Sequence, residues 1–239
     1  MVKKKIIIGN MKMNLTLDEI KDYIEKMKNY TKEFIICPSS LYAPYFVDAN
    51  FNVGIQNVSE HGLGSYTGEI SVNQVVSMNI QYVLLGHSER RCLFGETNDM
   101  INKKLRKIIS NNLNAILCVG ETIDEKHNQL AQAKITNQIL SALEDIDTDY
   151  IDNIIIAYEP VWSIGTGEIP TKQEIIDMVT YIKQLINTKY GFIPKVLYGG
   201  STNEKNIADL NTIDCVDGFL IGGSCLIPEK FVKIIETIS

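Results

Sequence analysis

The sequence predicts an α/β fold, a closed eight-stranded parallel (β/α) barrel, formed by a single domain over residues 1–239. Two observations favour it. Eight short apolar runs alternate with longer amphipathic runs, and no linker rich in proline, glycine or serine divides the 239 residues. Short, continuously apolar runs are typical of strands that are buried on both faces of a parallel sheet. An open doubly wound sheet also fits this alternation, although eight repeats in this length favour the closed barrel.

The predicted strands are rich in isoleucine, valine and leucine. They cover residues 5–9, 34–37, 53–56, 82–86, 115–119, 154–158, 196–198 and 219–221. The segments between several of them carry apolar residues at helical spacing. These predicted helices cover residues 17–30, 97–110, 130–143 and 171–186.

Local signals support the ends of some predicted helices. Thr171 is followed three residues later by Glu174, which is the pattern of a capping box at a helix start. Pro228 is a suitable first-turn residue for the last helix. The repeat around residues 43–48 leaves room for only a short helix.

Composition excludes several classes of protein. A formal net charge of -6 argues against a general nucleic-acid binder, which needs a basic surface. The five cysteines show no CxxC pair and no zinc-like spacing with histidine, so we expect reduced thiols and no metal. The first apolar run stops at Gly9, too early for a signal peptide, and no run approaches the ~18 apolar residues of a membrane span. We therefore expect a cytoplasmic protein.

Residue types that carry chemistry follow five of the predicted strands. Asn10 and Lys12 follow the first strand, His87 the fourth and Glu159 the sixth. Glycine pairs with a serine follow the last two strands, at Gly199-Gly200-Ser201 and Gly222-Gly223-Ser224. Because the carboxyl ends of barrel strands open at one mouth, these residues are expected to share one site.

The combination suits the abstraction of a proton beside a carbonyl in a phosphate-bearing substrate. Glycine pairs let backbone N–H groups approach a phosphate, and Lys12 adds a positive charge. Glu159 is a candidate base, and His87 can donate to an oxygen that gains charge. Taken singly, a surface lysine, a structural histidine, a salt-bridged glutamate and two simple turns explain the same residues. Their convergence at one mouth favours the functional interpretation.

Six motifs, in order along the whole chain, resemble those of the triosephosphate isomerase family. The most specific is YEPVWSIGTG at residues 158–167. The others are GNMKMN at 9–14, TGEIS at 67–71, GHSERR at 86–91, YGGS at 198–201 and IGGS at 221–224. The departures are mild. Met11 replaces the usual tryptophan, Ser163 the usual alanine and Tyr66 the usual phenylalanine, and the stretch 121–128 is shorter than in most members.

The resemblance implies a TIM barrel that interconverts dihydroxyacetone phosphate and glyceraldehyde 3-phosphate, a reaction of glycolysis and gluconeogenesis. It implies no metal and no organic cofactor. Glu159 would move a proton between carbons 1 and 2, and a neutral His87 would serve the substrate oxygens. Lys12 would offset the charge of the substrate, and Asn10 would help to hold both.

The resemblance also implies a phosphate site, a lid and an assembly. Backbone N–H groups of Gly165, Ser201, Gly222 and Gly223 would bind the phosphate. The lid would consist of Pro160, Val161, Trp162, Ser163, Ile164, Gly165, Thr166 and Gly167. The long loop 56–69 would insert into a second copy of the chain, with Thr67 bracing the Asn10 and Lys12 region of that copy, so a homodimer is expected.

Two alternatives stay open at this stage. The first is another phosphate-binding β/α barrel, for example an aldolase or an amino-sugar or indole-pathway enzyme. An aldolase that uses a Schiff base would need a buried lysine on a strand, and the predicted strands have none inside. A catalytically idle barrel that acts as a binding or adhesion protein is the second alternative. The presence of Lys12, His87 and Glu159 together makes loss of activity the weaker explanation.

Overall fold

A computed structural model describes residues 4–164 and 168–238. Each strand in it pairs in parallel with the next, and the first strand also pairs with the last, with Ile7 opposite Phe219. The sheet therefore closes into an eight-stranded barrel, which confirms the predicted fold and excludes the open sheet. The strands are β1 Ile6–Asn10, β2 Ile35–Cys37, β3 Asn52–Ile55, β4 Tyr82–Leu85, β5 Asn114–Val119, β6 Ile154–Tyr158, β7 Lys195–Tyr198 and β8 Gly218–Ile221.

Helices connect successive strands and surround the sheet. They are α1 Leu17–Met27, α2 Ala43–Asp48, α3 Val72–Ser77, α4 Ser88–Leu93, α5 Asn98–Ile109, α6 Ile123–His127, α7 Ala131–Ala142, α8 Lys172–Tyr190, α9 Ile207–Leu210 and α10 Pro228–Ile238. No helix in the described parts of the chain is long and apolar enough to cross a membrane.

The predicted boundaries differ from the observed ones mainly at helix ends. α8 begins with the predicted capping box of Thr171 and Glu174 but continues to Tyr190, four residues past the predicted end. It stops at Gly191, whose φ of 70° is the left-handed conformation that glycine adopts without strain. The predicted helix 17–30 was too long, since α1 ends at Met27 and Lys28 caps it.

The core has two layers, as expected for strands that are buried on both faces. Inside the barrel lies a cluster of small and branched side chains: Ile8, Ile35, Cys37, Leu84, Ile116, Cys118, Ile155, Ala157, Leu197 and Leu220. A larger cluster fills the space between the strands and the helices. Because both faces are packed, polar side chains at the carboxyl ends of the strands are directed into the mouth of the barrel.

Candidate active site

A cavity of about 290 Å³ opens at the carboxyl ends of the strands. It brings together most of the residues that the sequence singled out. Its lining comprises Asn10, Lys12, His87, Glu159, Ile164, Gly199, Gly200, Ser201, Thr202, Asn203, Leu220, Gly222, Gly223 and Ser224. Lid residues Pro160 to Ser163 are described but do not line it, and Thr67 lies exposed on the loop after β3. Gly165, Thr166 and Gly167 lie outside the described residues.

Glu159 and His87 form the centre of the site. Both side chains are nearly buried, and Glu159 Oε1 lies 3.2 Å from His87 Nε2. The other carboxylate oxygen of Glu159 accepts a hydrogen bond from the backbone N–H of Ser88 at 3.1 Å. Beneath them, burial and then the neighbouring Glu159 charge raise the pKa of Cys118 well above its ordinary 9.0, so this thiol is inert.

A backbone hydrogen bond selects one tautomer of the neutral His87 ring. His87 is the N-cap of α4, and its Nδ1 accepts a hydrogen bond from the Glu89 backbone N–H at 3.3 Å. A ring nitrogen that accepts cannot carry a proton, so the proton of the neutral ring is on Nε2. Nε2–H is therefore the donor of the ring, and it lies beside Glu159 Oε1. The ring can stabilise an oxygen that gains negative charge without itself being a cation.

Lys12 occupies a strained turn that two amide side chains hold. Its φ of 53° lies in the left-handed region, which is unfavourable for a residue other than glycine. Asn10 Oδ1 accepts from the Lys12 backbone N–H at 3.0 Å, and Gln56 Nε2 donates to the Lys12 carbonyl at 2.8 Å. The ammonium pairs with Glu89 Oε1 at 2.6 Å, so an anionic substrate would share this cation with Glu89.

The glycines after β7 and β8 leave room where side chains would collide with the site. A Cβ built on Gly199 would lie 2.9 Å from Glu159 Cγ, so only glycine fits beside the carboxylate as it stands. A Cβ on Gly222 would lie 3.5 Å from Lys12 Cε. Backbone N–H groups on these loops can therefore approach an anion closely, next to the Lys12 ammonium.

The chain after Glu159 forms a short 3-10 helix, Val161–Ser163, at the rim of the cavity. Glu121 anchors it, because its carbonyl accepts from Val161 N at 2.9 Å and its carboxylate accepts from Trp162 Nε1 at 2.8 Å. Lys126 Nζ lies 3.7 Å from the centre of the Trp162 ring, a cation–π contact. The start of the expected lid is thus tied to the loop after β5.

Sequence reasoning missed the residues that hold the site. Gln56 appeared only as the end of a strand and the start of a loop, and Glu121 only as the edge of a shortened stretch, yet both make buried or partly buried contacts to the site. Arg91, within the motif GHSERR, donates to the carbonyls of Gly86 and Cys118 and joins two strand ends. The position of Gln56 and Glu121 at the ends of apolar runs was a signal that they lie near the site. It did not indicate which residues they contact.

Two further observations bear on the alternatives. In the described parts of the chain, no group of three or more histidine, cysteine, aspartate or glutamate side chains is placed to hold a metal ion. The described strands carry one lysine, Lys195, and it is exposed at the start of β7. None of these strands therefore offers the buried lysine that a Schiff-base aldolase would need.

Comparison with known proteins agrees with this geometry. The model of the family described as triosephosphate isomerase matches residues 5–238. A triosephosphate isomerase of Dictyoglomus thermophilum is 38% identical over 99% of this chain and 100% of its own length. Those of Alkaliphilus oremlandii and Clostridium tetani are 36% and 35% identical over 98% of this chain, and over 100% and 97% of their own lengths. With this coverage and identity, the chain belongs to the triosephosphate isomerase family and is an isomerase with a TIM-barrel fold.

Proposed function

We propose that Glu159 is the base with which this chain interconverts dihydroxyacetone phosphate and glyceraldehyde 3-phosphate through an enediol(ate). The observation that carries this proposal is the pair of Glu159 and His87, buried at 3.2 Å beside a glycine-lined anion pocket. Glu159 takes a proton from carbon 1, the electron pair of that C–H bond forms a double bond between carbons 1 and 2, and the π electrons of the carbonyl move onto the oxygen at carbon 2. His87 moves a proton from the oxygen at carbon 1 to the oxygen at carbon 2, and the carboxylic acid returns its proton to carbon 2, so that carbon 1 becomes the aldehyde.

The remaining groups hold charge and position. His87 Nε2–H donates to the oxygen that becomes negative, and Lys12 and Asn10 hold the substrate oxygens. Backbone N–H groups of Ser201, Gly222 and Gly223, with that of Gly165, bind the phosphate. Holding the carbon acid and the base together makes the proton transfer effectively unimolecular. The reaction needs no metal or organic cofactor, because the carboxylate and the imidazole supply all the acid–base chemistry.

The segment from Pro160 to Gly167 serves as a lid over the bound phosphate. Trp162 and Ser163 in its first part contact Glu121 and Ser201, on the loops after β5 and β7, the two strands that flank β6. A lid that excludes water strengthens the electrostatic contacts inside and protects a reactive enediolate.

The functional form is a homodimer of single-domain chains, each comprising residues 1–239, in the cytoplasm. A groove of about 380 Å³ beside the site is rimmed by Met13 and Phe94, which are 94% and 69% exposed. Large exposed apolar side chains around one groove favour an interface, and Thr67 lies on the loop that would fill the groove of a second copy. All five cysteines are free thiols, as in a reducing compartment.

The function is tested by following glyceraldehyde 3-phosphate made from dihydroxyacetone phosphate, with wild type beside Glu159→Gln. Because the amide cannot accept the proton, we expect kcat to fall by at least several hundred-fold. Glu229→Gln changes an exposed carboxylate of α10 and is the matched control, with unchanged kcat. A folded wild type without turnover would contradict the proposal, and so would a Glu159→Gln variant with nearly full activity. Trapping of substrate by borohydride would support the aldolase instead.

A further inference from the structure

Ser163 makes a contact that links the lid to the phosphate loop. Its Oγ accepts a hydrogen bond from the backbone N–H of Ser201 at 3.2 Å. Ser163 is completely buried, whereas Ser201 lines the cavity. The usual alanine at position 163 in the motif that this chain resembles has no atom that could accept this bond.

The contact uses a group that the phosphate also requires. The Ser201 N–H is one of the backbone donors that we assign to the substrate phosphate, and an N–H has a single hydrogen to donate. In the unliganded chain that hydrogen is directed at Ser163. A phosphate oxygen can receive it only after the Ser163 hydroxyl has given it up.

The position of the hydroxyl is fixed by the chain around it. The Ser163 backbone N–H donates to the Pro160 carbonyl at 2.8 Å, within the 3-10 helix Val161–Ser163. The preceding Val161 is tied to the Glu121 carbonyl. Ser163 has no exposed surface, so turning its Oγ away from Ser201 requires the packing around it to rearrange. Release therefore requires the short helix or the loop after β7 to shift.

We propose that the Ser163 hydroxyl is an internal competitor for the phosphate, occupying the Ser201 donor until substrate displaces it. This proposal rests on the proposed function, since it takes the anion to be a phosphate monoester bound at Ser201. Ser163 is a positioning residue in this role, because it acts through Ser201. It lowers the affinity of the site for any phosphate-bearing ligand. It also couples two events, because phosphate can bind the Ser201 N–H only when the first turn of the lid, Val161–Ser163, releases it.

The test measures binding of inorganic phosphate by calorimetry to the full chain in three forms: wild type, Ser163→Ala and Ser163→Cys. Alanine removes the competing acceptor, and cysteine keeps a similar side-chain volume while offering only a weak one. Wild type must break the hydrogen bond from Ser201 N–H to Ser163 Oγ when phosphate binds, whereas the variants have no such bond or only a weak one. Both variants should therefore bind phosphate about 2- to 10-fold more tightly. In isomerase assays KM should fall by a similar factor, because the phosphate is bound both in the substrate complex and in the transition state.

A direct reading of the contact comes from the Ser201 amide in NMR spectra of the unliganded protein. Its proton resonance should move upfield in both variants, and phosphate should abolish the difference from wild type. Ser77→Ala removes an exposed hydroxyl on α3 that bonds the Gln74 carbonyl, and it should change none of these measurements.

The proposal is overturned if both variants bind phosphate as weakly as wild type, or more weakly. It is also overturned if cysteine behaves as serine while alanine alone differs, which would assign the effect to volume. These outcomes are separate from failure of the proposed function. That failure would show as absent turnover in wild type, whatever the phosphate affinities of the three forms.

Discussion

Lys12 combines an unfavourable backbone conformation with a side chain that the site needs, and it keeps both only because neighbouring residues hold its turn. Gln56 Nε2 donates to the carbonyls of Lys12 and Cys37 at 2.8 and 3.0 Å. A left-handed φ at a residue other than glycine costs of order 1–3 kcal/mol and persists only where the surroundings impose it. Gln56 is thus part of what places the ammonium.

Replacing Gln56 with alanine should misplace Lys12. The Lys12 carbonyl loses its Gln56 donor, and the Cys37 carbonyl keeps only the Met11 N–H, so we expect the free energy of unfolding to fall by about 1–3 kcal/mol. We also expect kcat/KM to fall by roughly 10- to 100-fold, since small displacements of a positioned charge are costly. Denaturant unfolding and the isomerase assay measure the two effects. Gln173→Ala, which removes an exposed amide on α8, is the control, and a folded Gln56→Ala with wild-type kcat/KM would contradict the assignment.

The positions of the side chains that we propose to react were predictable, and those of their supports were not, for a reason visible at single residues. His87 and Glu159 directly follow apolar strands, so the rule that strand ends share one mouth locates them from the sequence alone. Gln56 acts on residues 19 and 44 positions away, and Glu121 on Trp162 at 41 positions. Such contacts depend on which loops meet in space, and neither composition nor periodicity records that.

Among the elements, the short helix that begins the lid depends on one buried carboxylate. Glu121 accepts from Trp162 Nε1 and Tyr158 OH through Oε1, and its Oε2 has no hydrogen-bond partner among the described residues. Burial raises the pKa of Glu121 above its ordinary 4.5, against the opposing hydrogen bonds from Trp162 and Tyr158 and the charge of Lys126. The ionised Glu121 carboxylate therefore lowers the stability of the folded state around this short helix.

The variant Glu121→Gln should expose this cost as a pH dependence. With a folded pKa above the unfolded one, the native state binds more protons from about pH 4.5 up to the raised pKa. Wild type should therefore lose stability relative to the variant as pH rises through that window, with no further change above it. Denaturant unfolding of both proteins between pH 4 and 8 measures the difference, in which all other groups cancel.

Glu236→Gln is the control with the opposite sign. Hydrogen bonds from Lys32 and Tyr30 lower the pKa of Glu236, so its stabilisation is present above pH 4.5 and is lost as pH falls through the lowered value. A difference between wild type and Glu121→Gln that is constant with pH, or that favours wild type as pH rises, would contradict the proposed cost.

Element boundaries were predictable where the chain carries its own stop or start. The strands lie within about one residue of the predicted ranges, because continuous apolarity ends where the buried sheet ends. α8 starts at its capping box but continues past the predicted end to Tyr190, where Gly191 caps it. The short helices α4 and α6 gave no periodic signal, since five or six residues span too few turns to show one.

For the whole molecule, the catalytic cavity and the apolar groove are not independent. Asn10, Lys12 and His87 line both of them. Asn10 ends β1, Lys12 follows it and His87 follows β4, so a second copy that fills the groove would pack against the strand ends and loops that carry the site. Assembly and catalysis should therefore respond together to changes at the rim of the groove.

The change Phe94→Asp should separate the copies and weaken catalysis. Phe94 rims the groove and is 69% exposed, and a charge there opposes burial against a second chain. We expect a dimer for wild type and a monomer for the variant by light scattering at micromolar concentration, with kcat/KM lowered at least about tenfold because the Lys12 and His87 loops lose their cover. Ile193→Asp places the same charge at a residue that is 63% exposed and outside the groove, and it should stay dimeric and active.

If Phe94→Asp were still a dimer, the groove would not be the interface between the two copies. A monomer with full kcat/KM would leave the interface in place but refute its coupling to catalysis, because the cavity would then keep its geometry without a second copy.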